Sequence, residues 1–204
     1  MYSSHTDSGF SLVEALVAIS LLLLMIVGPM ELMTKANHST AYATEQVIAW
    51  FLAQEGLELA QKGRDDLLLD SKFIDALTSG GSGDVANPWA DFTKTTSGGI
   101  FKDCFTAVGC GLSLPAANGT LNIKSCASNG CRLYIDDSTP LRAVYVHNTS
   151  ADNEESLFTR VITMEKEGTG GVKVTSTVTW RTGSLISSQK VESVTYLYNV
   201  YDTP

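Results

Sequence analysis

Residues 9–33 read GFSLVEALVAISLLLLMIVGPMELM, and this stretch decides the architecture. Between Ala15 and Met30 it holds no charge and a single hydroxyl, Ser20. Residues 10–33 make 24 positions. A membrane span needs about 20 at a helical rise of about 1.5 Å each, so the stretch is long enough to cross a bilayer. A cleaved secretory signal has a basic start, an apolar core of about 7–15 residues and a small-x-small cleavage site. Residues 1–9 carry no Lys or Arg, the apolar run is too long, and Gly28-Pro29-Met30-Glu31 is not such a site. A membrane-inserted helix is the reading that remains.

Outward from the span the helical pattern continues. Residues 31–62 contain no proline and one glycine, Gly56, with Ala, Leu, Glu and Gln frequent. Val47, Ile48, Phe51, Leu52, Glu55 and Leu59 recur at spacings of three and four, which predicts one apolar face with Glu55 as its polar interruption. Residues 10–62 would form a helix of roughly 80 Å, far longer than a bilayer is thick. Pro29 lies inside it, where it removes one backbone hydrogen bond, so a kink or local melting near Gly28 is expected. The expected division is 1–9 ahead of the helix, 10–33 as the membrane half of the helix, 34–66 as its outer half and 67–204 as a globular head.

Residues 78–99 are rich in Gly, Ser, Thr and Asp and read as loop. Residues 101–125 hold the first two cysteines, Pro115 and the tight-turn pair Asn118-Gly119. The last third reads as strands. Residues 131–136 and 143–147 are short candidates, and 157–166, 171–181 and 190–201 are longer ones separated by Gly168-Thr169-Gly170 and Thr182-Gly183-Ser184. In the middle strand Val172, Val174, Val178 and Trp180 alternate with Lys173, Thr175, Thr177, Thr179 and Arg181. Val194, Tyr196, Tyr198 and Val200 are expected to repeat that apolar face in the last strand. The predicted class is α+β, a long N-terminal helix packed on a C-terminal antiparallel sheet.

The chain has 204 residues, a formal net charge of -8 and a pI near 4.8. That balance speaks against a broad grip on nucleic-acid phosphate and reads as solubility of the head. Cys104, Cys110, Cys126 and Cys131 all follow the span. Four cysteines pair in three ways; short loops close most readily, which favours Cys104 with Cys110 and Cys126 with Cys131. The same spacings sit awkwardly beside zinc-site patterns. His5, His38 and His147 are scattered and read as surface residues, with no metal cluster or catalytic triad. Asp136-Asp137 with Asp152, Glu154 and Glu155 reads as solvated turns rather than a calcium loop. Trp89, Tyr134, Tyr145 and Trp180 read as core aromatics rather than a ligand platform. Neither a catalytic constellation nor a cofactor motif is evident.

Gly9-Phe10-Ser11-Leu12-Val13-Glu14 stands immediately before the apolar run. A glycine has no side chain and populates backbone conformations closed to other residues, so another chain can approach it closely. A carboxylate beside hydrocarbon is costly and such groups face a partner. This segment resembles the cleavage and methylation motif of type IV prepilins and type II secretion pseudopilins. The resemblance implies that a dedicated membrane aspartyl peptidase cuts between Gly9 and Phe10 and methylates the new Phe10 amine. It also implies that Glu14 pairs with that amine on a neighbouring subunit and fixes the axial register of a filament.

The implied fold is pilin-like, and the implied partners are other pilin subunits, the prepilin peptidase, the assembly machinery and the cytoplasmic membrane before assembly. Leu52-Ala53-Gln54-Glu55-Gly56 and Arg64-Asp65 are similar to the outer helix of one branch of the family, and residues 174–180 with the aromatic last strand resemble minor pilins of the modification type. Residues 67–152 lie outside the resemblance. The leader departs from the family in lacking basic residues, so loop charge does not set the orientation. The rival reading is a single-span, membrane-anchored extracytoplasmic binding domain that never assembles.

Overall fold

The computed structural model describes residue 9 and residues 11–77, 88–115, 120–128, 130–138, 144–148, 153–168, 170–183 and 187–199. The chain forms two compact units, one ending at Thr44 and the other starting at Glu45. Helix α1, Leu12–Leu77, belongs to both, and α2, Pro88–Phe92, to the second alone. The class is α+β, a long apolar N-terminal helix with an antiparallel sheet.

Two expectations about α1 are corrected. The helix runs unbroken through Gly28 and Pro29, so no local melting occurs there. Loss of a single backbone bond costs about 3 kcal/mol and is carried by the intact turns on either side. The helix also continues past residue 66, so the boundary expected at 66/67 falls inside it. Residues 67–77 contain neither Pro nor Gly and give the helix no stop signal.

In the second unit, seven strands follow a short 3-10 turn at Lys102–Phe105. They are β1 Cys110–Ser113, β2 Asn122–Ser125, β3 Arg132–Asp136, β4 Val144–Val146, β5 Glu154–Glu167, β6 Gly171–Trp180 and β7 Gln189–Tyr198, and every pairing is antiparallel. The long β5 is the hub: β1 and β3 pair with parts of it, and β6 joins it to the edge strand β7. The β1–β2 hairpin was not foreseen, and the expected turn at Asn118-Gly119 lies outside the described residues, as do residues 78–87 of the expected 78–99 loop and Val200; α2 lies in the described part of that segment.

The apolar face of β6 is the expected one: Val172, Val174, Val178 and Trp180 are buried. That of β7 is not. Val191 and Leu197 are buried, whereas Val194, Tyr196 and Tyr198 are 44, 50 and 57% exposed. Register decides this, because Val191 stands opposite Val178 and Leu197 opposite Val172. Direct cross-strand partners share a face, and a one-residue slip would exchange the two faces of β7.

The helix face is likewise rotated from the expected stripe. Val47 and Phe51 are 54 and 69% exposed, while Ala49, Leu52, Ala53, Gly56, Leu59, Ala60 and Gly63 are buried. Residues 49, 53, 56, 60 and 63 alternate spacings of four and three, so the buried line is mostly small. A Cβ at Gly56 would stand 2.5 Å from Ser176 Oγ and 2.7 Å from Ile162 Cδ1, and one at Gly63 would overlap Phe101 and Leu121. Close approach of helix to sheet, rather than maximum hydrophobicity, selects the face. Leu59, Ala60, Phe92, Phe101, Leu112, Ile162, Met164 and Val174 form the core that results.

Both disulfides are local. Cys104 joins Cys110 at the head of β1, and Cys126 joins Cys131 across the turn from β2 to β3, where Gly130 and Cys131 take φ of 63° and 58°. Loops this short are worth about 2 kcal/mol each by chain entropy.

Candidate functional site

Gly9 is exposed, and Phe10 lies outside the described residues. Glu14 occupies the first turn of α1 and makes no hydrogen bond or ion pair among the described residues. Beyond it every side chain to Ala41 is exposed, including 15 large apolar ones between Leu12 and Met33. Burial of such a side chain is worth about 1.5–3 kcal/mol, so leaving the set in water forgoes tens of kcal/mol. The segment is long and apolar enough to cross a membrane. Its hydroxyls suit that setting: Ser20 Oγ donates to the Leu16 carbonyl at 2.8 Å and Thr34 Oγ1 to the Met30 carbonyl at 3.0 Å. Internal bonding of this kind removes the cost of carrying a hydroxyl into hydrocarbon.

The second unit holds a polar centre that the sequence reading missed. Arg160 on β5 is fully buried. Its guanidinium donates to the Leu52 carbonyl at 3.1 Å, to Glu55 Oε2 at 2.7 Å and to the Leu112 carbonyl at 2.6 Å. One side chain therefore ties α1, β5 and β1 together. Burial lowers the Arg160 pKa, and Glu55 opposes that shift. Tyr145 is raised by burial and by the Glu55 charge. Glu55 interrupts the apolar pattern of the helix because it answers Arg160. An Arg in an alternating strand gives no hint of facing inward, so only Glu55 carried a signal.

His147 corrects the expectation of a surface histidine: it is 2% exposed. Its Nδ1 lies 3.2 Å from the Arg132 carbonyl, and its Nε2 has no partner. Burial, with the nearby Arg160 and Lys124 charges, pushes its pKa down to about 3 despite the Arg132 contact. The ring fits only because residue 111 is glycine, since a Cβ there would stand 2.7 Å from the imidazole Cδ2. His38 is exposed, and His5 lies outside the described residues.

Among the described residues no three His, Cys, Asp or Glu side chains converge as a metal site. Asp136 accepts the Ser138 N–H at 3.1 Å, and that turn holds its carboxyl below the usual range; Glu155 pairs with Arg132, and Asp152 lies outside the described residues. The four aromatics make no common platform. Trp89 packs on Phe92, while Trp180 and Tyr145 both pack on Phe158.

No protein-family model, curated protein or solved structure matches this chain.

Proposed function

We propose that this chain is a structural subunit of a type IV pilus or related filament, of the minor kind, built on a pilin-like fold and without catalysis of its own. It would enter the cytoplasmic membrane as a single-pass precursor. Cleavage between Gly9 and Phe10 and methylation of the Phe10 amine would then release it into an extracellular pilus or pseudopilus. The observation that carries the reading is the wholly exposed apolar helix from Leu12 to Met33 with an unpaired carboxylate, Glu14, in its first turn. Such a surface is satisfied first by lipid and then by the same surface of neighbouring subunits. Glu14 supplies what apolar packing lacks, a directional contact that distinguishes one axial register from the next.

The test is the intact mass and N-terminal sequence of the protein recovered from cells containing a prepilin peptidase. A chain starting at methylated Phe10 supports the proposal. A chain that keeps residues 1–9 in those cells refutes it and favours the anchored, unassembled binding domain. Glu14→Ala is expected to insert normally yet be absent from sheared filaments; normal filament content would refute the register role.

A further inference from the structure

A cleft of about 440 Å³ opens at one end of the β3–β5–β6 region, lined by Arg132, Ser156, Thr159, Thr179, Arg181 and Ser188. Strand register builds it. Arg132 stands opposite Thr159, Thr159 opposite Thr179, and Thr179 opposite Lys190, so one cross-strand row carries a cation at each end and two threonines between. Arg181 follows β6 directly and is exposed. The row is not uniformly free: Arg132 pairs with Glu155, and Lys190 with Glu192 at 2.7 Å. Arg181 alone among the described arginines has no acceptor, so of the two arginines lining the cleft it is the one whose charge is not already paired.

The cleft also offers unused hydrogen-bonding groups. Ser156 Oγ is engaged with the Phe158 backbone, but the hydroxyls of Thr159, Thr179 and Ser188 have no partner among the described residues. Trp180, 3% exposed, lines the same cleft, and its indole N–H has no acceptor. A guanidinium recognises a carboxylate by paired N–H donors. Hydroxyls that both donate and accept match a polyhydroxylated ligand better than an acceptor-only phosphate. The volume suits one or two sugar rings.

We infer that this cleft binds an acidic sugar, with Arg181 holding the carboxylate and Thr159, Thr179 and Ser188 meeting the ring hydroxyls. The site lies within the second unit and does not depend on assembly.

The probe is sodium glucuronate, titrated by nuclear magnetic resonance into the full chain in detergent micelles, beside glucose and inorganic phosphate. Glucuronate is expected to bind at least tenfold more tightly than either. Arg181→Gln, at an exposed position, is expected to weaken glucuronate by about tenfold or more, the loss of a charge-assisted pair. Thr179→Val weakens it severalfold without a change of charge, and Lys94→Gln, outside the cleft lining, leaves it unchanged. Equal binding of glucose or phosphate, or unchanged binding by Arg181→Gln, overturns the inference.

Discussion

Acidification should loosen the second unit through His147 before Asp136 or Glu192 takes part. In the fold the imidazole is held neutral, with its pKa near 3 against an ordinary 6.5. The unfolded chain takes up a proton near 6.5 and the folded one does not, so stability rises with pH between about 3 and 6.5 and is lost as pH falls through that window. Each pH unit below 6.5 costs about 1.4 kcal/mol, which makes the loss about 2 kcal/mol by pH 5. Asp136 and Glu192 also have lowered pKa values, but their ordinary values of 3.8 and 4.5 put their effect in the acid half of this window, below the pH 5 at which the assay stops. The assay is urea unfolding of the full chain in detergent at pH 7, 6 and 5, followed by the fluorescence of the buried Trp89 and Trp180. His147→Gln should start less stable at pH 7 and lose far less between pH 6.5 and 5. Parallel pH profiles for the two proteins would refute the reasoning.

Two further outcomes follow from the helix face. Gly56→Val should destabilise the second unit by about 2–3 kcal/mol by overpacking against Ile162 and Ser176, although valine is the better helix former; unchanged urea midpoints would refute the close approach. Glu55→Ala should cost more than Arg160→Met, about 3–5 kcal/mol, because it strands a fully buried cation whereas the 40% exposed Glu55 can turn to water. The reverse order would show that Arg160 draws its stability from the two carbonyls rather than from Glu55.

The long helix was legible because it depends on local rules alone: an uninterrupted apolar run, frequent helix formers and no breaker but Pro29. The β5–β6–β7 meander was legible because alternation and glycine-bearing turns mark strands without reference to the rest of the chain. The short β1–β2 hairpin was missed because four-residue strands around Cys110 and Ile123 are too brief for a period to stand out. In the candidate assembly segment, Gly9, Phe10 and Glu14 are marked by contrast with their apolar surroundings, a property of sequence.

Tertiary structure alone decided which faces are inside. Sequence placed Phe51 and Val47 inward on hydrophobicity, but the sheet admits the helix only along Ala49, Ala53, Gly56, Ala60 and Gly63, and shape outweighed apolar character. Tyr196 and Tyr198 lie outward because the hairpin register put Leu197 opposite Val172. Arg160 and His147 lie in the core because distant segments supply the carbonyls and the missing side chain that admit them: Leu52, Leu112, Arg132 and Gly111. Sequence by itself determined the elements and the membrane-compatible segment, since periodicity and composition are local. Burial of a charge, the choice of a helix face and the phase of an edge strand depend on partners distant in sequence, such as Leu52 for Arg160, 108 residues away, and only the folded chain brings those together.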